Sequence, residues 1–218
     1  MPGAHRPHAD FHSPLHLKVE GLCVERGGRM VLENIGFALA GGDALVVTGH
    51  NGVGKSPLLR TLAGLLPRVS GSVALEGAGE EELSAQIHYL AHSDGLKTPL
   101  TAMENLEFWA SYLAAGHPAL SLTPAAALAN VGLTHVADAP VGILSAGQKR
   151  RVALARLMVA HRPLWLLDEP MTALDAASRA RFANAMRDHC ALGGMIVAAT
   201  HEPLGVEEAR ELPLGAAS

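Results

Sequence analysis

Gly49-His50-Asn51-Gly52-Val53-Gly54-Lys55-Ser56 is the stretch from which the rest of the chain can be read. Glycines at its first and sixth positions, followed by Lys-Ser, match a phosphate-binding loop in full. Immediately before it, Ala44 to Val47 form a short apolar run rich in β-branched residues and bounded by turn signals, which predicts a buried strand of a parallel sheet. After it, Leu58, Leu62, Leu65 and Leu66 repeat at helical spacing, with Pro67 as the expected stop. Strand, glycine loop and helix in that order suit the chemistry. Glycines let the backbone close round a β-phosphate with its N–H groups pointing inward, and the helix N-terminus adds partial positive charge. Lys55 is placed to reach the β- and γ-phosphates, and the Ser56 hydroxyl to ligate Mg²⁺. Pro57 is tolerable in a first helical turn, but it removes one N–H that would face the α-phosphate. A loop that merely turned a strand into a helix would need no Gly-Lys-Ser ending.

A second motif supplies acid. Pro163-Leu164-Trp165-Leu166-Leu167-Asp168-Glu169-Pro170 reads as an apolar strand ending in two carboxylates. By itself an Asp-Glu pair after a strand is a solvated turn. Downstream of a phosphate loop, Asp168 becomes the expected Mg²⁺ ligand and Glu169 the base or orienting group for an attacking water.

Between and around these motifs strands alternate with helices. Strands are expected at Leu15 to Val24, Ile35 to Leu39, Ser72 to Leu75, Ile87 to Leu90 and Met195 to Ala199. Thr101-Ala102-Met103-Glu104 is a capping box opening a helix to about Leu113, and a second helix is expected from Pro124 to about Val131. Further helices begin at Ser145 and Asp175. The expected fold is α/β: a nucleotide-binding core with a mainly parallel sheet, an antiparallel β region and a helical lobe inserted at about residues 92–143. Residues 1–14 read as a flexible polar tail and 15–218 as one domain.

Composition narrows the function classes. No run of about 18 apolar residues occurs; Val152 to Leu167 is broken by Arg156, His161, Arg162 and Pro163, so no transmembrane helix is expected. The N-terminal residues lack the apolar centre of a signal peptide, and a cytoplasmic chain with reduced Cys23 and Cys190 is expected. A net charge of −4 argues against a nucleic-acid partner. The twelve histidines are scattered without metal-ligand spacing.

A phosphate loop with an acidic strand is still compatible with a kinase, a GTPase or a DNA-repair ATPase. Leu144-Ser145-Ala146-Gly147-Gln148 decides among them. Locally Ser145 to Gln148 is a second capping box, and a capped helix N-terminus is also an anion site. This stretch, continued by Lys149 to Arg156, resembles the signature of ABC ATPases. Thr172-Ala173-Leu174-Asp175 resembles their D-loop and His201, after the strand Ile196 to Thr200, their γ-phosphate-sensing histidine. The resemblance implies that Ser145, Gly147 and Gln148 contact ATP held by the phosphate loop of a second copy, with Asp175 at the same interface. The run Lys149 to Arg151 is otherwise expected to be a solvated helix face.

Two positions depart from the family. Its adenine-stacking aromatic falls near Arg26, whose planar guanidinium can stack on a base. The glutamine expected after Leu90 is replaced by His92-Ser93-Asp94. The wording of His88 to Lys97, Leu100 to Leu106 and Ala198 to Leu204 is most similar to the haem-exporter ATPases of cytochrome c biogenesis. That resemblance implies ATP and Mg²⁺ as cofactors and an ATP-dependent homodimer. It also implies membrane-spanning ABC subunits of the cytochrome c maturation system as partners, with this chain peripheral on the cytoplasmic face of the bacterial inner membrane. An ATPase of another small-molecule exporter is the alternative. A DNA-repair ATPase would need a long coiled-coil insertion between Ser56 and Ser145, and a translation-associated one a second nucleotide domain.

Overall fold

The computed structural model describes residues 15–77, 82–113 and 120–215; the expected tail over 1–14 lies outside them. Two sheets frame the molecule. In the first, strands β1 (His16–Arg26) and β2 (Arg29–Ala40) form a hairpin. It turns on Gly27 and Gly28, whose φ values of 60° and 77° suit a two-residue loop. Strand β1 runs past the expected Val24 to Arg26, and β2 begins before the expected Ile35, because its apolar Met30-Val31-Leu32 is separated from Ile35 by polar Glu33 and Asn34, the latter at φ 51°.

Strand β3 (Ala44–Thr48) leads into helix α1 (Lys55–Leu62), and β4 (Ser70–Glu76) then returns to pair antiparallel with β1, giving the order β2-β1-β4. Helix α1 ends before the predicted Leu65 and Leu66. Gly64, at φ 72°, donates to Thr61 O at 3.0 Å while Leu65 N donates to Arg60 O at 2.8 Å. This paired bonding closes a helix on a left-handed glycine, three residues before Pro67 could act. Leu65 is consequently 57% exposed.

The remaining elements are β5 (Ile87–Leu90), α2 (Ala102–Tyr112), α3 (Pro124–Asn130), α4 (Ala146–Ala155), β6 (Leu164–Asp168), α5 (Ala176–Ala191), β7 (Met195–Ala199) and β8 (Arg210–Pro213). Five of the strands build a parallel sheet in the order β5-β6-β7-β3-β8. Strand β8 was not expected. It is a short, mostly exposed edge strand whose Arg-Glu-Leu-Pro sequence has no apolar run to betray it, and an edge position tolerates its proline.

Strict alternation along the buried strands divides the core in two. Leu164, Leu166, Met195 and Val197 face α1 and the antiparallel sheet, where Leu58, Leu59 and Leu62 pack with Leu17, Leu22 and Val24. Trp165, Leu167, Ile196 and Ala198 face the other way, against α2 to α5. Each fully buried leucine contributes about 2 kcal/mol through area removed from water. Helices α1 and α4 therefore lie on opposite faces of the parallel sheet. No helix among the described residues is long and apolar enough to cross a membrane.

Candidate active site

The register of the parallel sheet brings distant motifs to one edge. Asp168, the last residue of β6, lies opposite Ala199 on β7, and Ala199 lies opposite Val47 on β3. The three chains leave the sheet side by side at their carboxyl ends, where open α/β sheets take ligands. Gly49 to Gly54 follow β3, Glu169 follows β6, and Thr200-His201 follow β7.

Within the loop, His50, Asn51 and Gly52 are exposed, Gly49, Val53, Ser56 and Pro57 are half-buried, and Gly54 and Lys55 are buried. Gly54 is irreplaceable for two reasons. Its φ is 118°, and an added Cβ would stand 2.8 Å from both Val31 O and Leu32 Cδ2. Pro57 is the third residue of α1, in the turn where no N–H is needed for the helix; the first intrahelical bond is Leu58 N to Gly54 O at 2.9 Å.

Lys55 is only 8% exposed. Its Nζ donates to Gly49 O at 2.6 Å and His50 O at 3.3 Å, and lies 3.0 Å from His201 Nε2. His201 Nε2 is also 3.3 Å from Asn51 Oδ1. One nitrogen cannot serve both neighbours at once: unprotonated it accepts from Lys55, protonated it donates to Asn51. The phosphate loop and the residue after β7 are thereby joined across 146 positions of sequence.

The residues fit a bound phosphate. Thr101, Thr123, Ser145 and Asp175 cap α2, α3, α4 and α5 through their side chains, whereas α1 alone among these helices has no side-chain cap. Its leading N–H groups stand open beside a buried ammonium, as an anion site requires. Asp168, 6% exposed, and Ser56 supply hard oxygen donors of the kind Mg²⁺ takes.

Glu169 has a left-handed backbone, φ 46°, uncommon for a residue with a side chain. Its N–H donates to Ala199 O at 2.8 Å, tying the strand end to β7.

The signature region sits on the far side of the sheet from α1. Ser145 Oγ accepts from Gln148 N at 3.2 Å and Gln148 Oε1 from Ser145 N at 2.8 Å, so the expected capping box is complete. Gly147 has a reason of its own: an added Cβ would meet Ala173 O at 2.9 Å. That carbonyl belongs to the turn preceding Asp175, which caps α5 by accepting from Ser178 N at 2.7 Å. The same hydrogen bond holds the Asp175 carboxyl below its usual range. Arg26 is exposed at the tip of the β1–β2 hairpin, paired with Arg29. Val31, two residues further on, touches the phosphate loop at Gly54.

The solvated face expected for Lys149 to Arg151 is corrected at its centre. Arg150 is 4% exposed, its guanidinium turned inward to the main chain beside Asp168 and to Asp94 at 3.1 Å. A run of basic residues carries no signal that distinguishes the one whose donors find partners inside. The His92-Ser93-Asp94 loop thus engages α4 through Asp94, while His92 and Ser93 stay exposed.

Residues 32–172 match the ABC transporter family model. The chain is 52% identical over 205 residues to the cytochrome c biogenesis ATP-binding export protein CcmA of Mesorhizobium japonicum, covering 93% of this chain and 100% of that protein. It is 50% identical over 205 residues to the protein of the same name from Nitrobacter winogradskyi, covering 94% and 100%. A solved ATP-binding subunit of an ABC transporter shares the fold at a TM-score of 0.79 and 24% identity, over 91% of this chain and 85% of that one. With the family match spanning more than half of its length and such relatives nearly all of it, this chain belongs to the ABC transporter family, as an ATP-hydrolysing member.

Proposed function

We propose that this chain is the ATPase subunit of an export complex for cytochrome c biogenesis, driving the delivery of haem towards the periplasm through separate membrane-spanning subunits. The motor half of this reading is supported by the meeting of Lys55, Asp168, Glu169 and His201 at one sheet edge. The biological half is supported by relatives that are about half identical along nearly the whole chain and carry that name.

In this reading residues 15–218 are one nucleotide-binding domain with its helical lobe near 92–143. The main-chain N–H groups of Gly49 to Ser56 bind the β-phosphate of ATP, and Lys55 leaves its carbonyl partners for the β- and γ-phosphate oxygens. Arg26 stacks against the adenine. Mg²⁺, when bound by Ser56 and Asp168, supplies charge neutralisation for the leaving diphosphate. Glu169 accepts a proton from the attacking water as its oxygen bonds to the γ-phosphorus and the bond to ADP breaks. His201, freed from Lys55, donates to a γ-phosphate oxygen.

Because α4 and α1 lie on opposite faces of the sheet, Ser145, Gly147 and Gln148 are better placed to meet the nucleotide of a second copy than their own. Two copies then close head to tail over two ATP molecules, with Asp175 at the shared surface. The dimer sits peripherally on the cytoplasmic face of the inner membrane, held by its membrane partners.

Cells carrying Lys55→Ala test the biological half. Apocytochromes c should be made and exported without covalent haem while b-type cytochromes stay normal, as read by haem staining of membrane and periplasmic fractions. Normal maturation of c-type cytochromes would overturn the haem assignment and leave another export partner to be found.

A further inference from the structure

Arg150 is a charged side chain buried almost completely, and the place where its donors end is unusual. A guanidinium carries five N–H groups in a rigid fork. Here they find five acceptors. Nη2 donates to Asp168 O at 3.0 Å and to Glu169 O at 2.7 Å, and Nε to Pro170 O at 3.4 Å. Nη1 donates to Ala91 O at 3.0 Å and to Asp94 Oδ1 at 3.1 Å. Three consecutive carbonyls, from the metal-ligand candidate through the candidate base to the proline after it, are thus held by one side chain from α4.

The middle carbonyl belongs to the residue that most needs holding. Glu169 has φ 46°, a conformation an L-residue keeps only when its surroundings over-determine it. Its N–H is fixed to Ala199 O and its carbonyl, by the shortest of the five bonds, to Arg150. On its other side the same guanidinium grips the loop after β5 at Ala91 and Asp94, while Arg156 braces β5 itself by donating to Tyr89 O at 3.1 Å. Arg150 therefore ties three segments together: the helix opened by Ser145, the turn that aims Glu169, and the His92-Ser93-Asp94 loop.

We propose that Arg150, anchored by Asp94, is a positioning residue that sets the backbone of Glu169 and so the aim of its carboxylate, and that movement of the 91–94 loop reaches Glu169 through it. This rests on the reading of Glu169 as the base for the attacking water.

The experiment is a double-mutant cycle on the full-length chain. Arg150→Lys keeps a buried cation for Asp94 but cannot reach all three carbonyls. It should lower kcat at least ~10-fold, the size of loss that misplacing a reacting group produces, while KM and the ATP dissociation constant stay within about 2-fold. In a Glu169→Gln background, the same change should alter the residual single-turnover rate less than about 2-fold, because there is no longer a base to aim. Asp94→Ala, which leaves Arg150 in place, should repeat the pattern at smaller amplitude, and it carries the test if Arg150→Lys does not fold. Equal losses in both backgrounds, or unchanged kcat, would make Arg150 a general brace and overturn the proposal. Wild-type turnover by Glu169→Gln alone would sink the reading of Glu169 and the positioning role with it.

Discussion

Ser145 is assigned two jobs, and substitutions can pull them apart. Inside the chain it caps α4, with Oγ accepting from Gln148 N at 3.2 Å. Across a dimer it is assigned to phosphate. Ser145→Ala removes the cap acceptor but leaves Gln148 Oε1 able to receive from the residue-145 N–H, so one of two cap bonds is lost. The expected cost is about 1 kcal/mol, which in a domain of this size lowers Tm by roughly 2–4 °C. Ser145→Asp replaces the hydroxyl acceptor with a carboxylate oxygen, and aspartate caps as well as serine, so Tm should stay within about 1 °C of the parent. For the dimer the order reverses. Alanine weakens ATP-induced association by removing one hydroxyl, whereas aspartate sets a negative charge against a phosphate and abolishes it. Calorimetry reads the first effect. Light scattering with and without ATP, in a hydrolysis-deficient Glu169→Gln background, reads the second. An aspartate variant that dimerises like its parent would refute the phosphate assignment. One as unstable as the alanine variant would refute the capping account. Loss of ATP binding by the folded monomer would place Ser145 at its own nucleotide.

Gly147→Ala should be destabilised by about 1–3 kcal/mol, since the new Cβ meets the Ala173 main-chain oxygen at 2.9 Å and backbone there must shift; an unchanged Tm would contradict that close approach. Acid should destabilise the chain through its buried histidines. Burial lowers His88 to about 3 and His189 to about 4, against about 6.5 when unfolded. The unfolded chain therefore takes up these protons first. The stability they contribute is complete above about pH 6.5 and declines as the pH falls towards 4, at about 1.4 kcal/mol per pH unit for each. Urea midpoints should fall between pH 6.5 and 5, and His88→Gln should roughly halve that slope; flat midpoints would refute the account.

What could be read from sequence follows from where the information sits. The strand ending in Asp168 is buried on both faces and the strand ahead of Gly49 is buried on one and half-buried on the other, so their apolar runs are continuous and their ends well marked. The caps at Thr101, Ser145 and Asp175 are local, three-residue interactions and were equally legible. The end of α1 was also local, yet Gly64 competed with a louder proline at position 67, and the leucine spacing continued past the true stop. Strand β8 was hidden because an exposed edge strand needs no apolar residues, and the start of β2 because polar Glu33 and left-handed Asn34 interrupt its apolar pattern. Arg150 was hidden for a different reason. Its partners lie 18 to 59 positions away and four of the five are main-chain carbonyls, which no sequence pattern announces. The contact between Lys55 and His201 belongs to the same class, although the order of motifs had already pointed to both residues.

The account rests above all on Glu169 acting on water beside a nucleotide held by Lys55. The measurement that tests it most directly is ATP binding and ATP turnover by the purified full-length chain and its Glu169→Gln variant. The account predicts that both bind ATP, that the variant turns over about two orders of magnitude more slowly, and that it accumulates as an ATP-bound dimer. Equal turnover by the two proteins would contradict it.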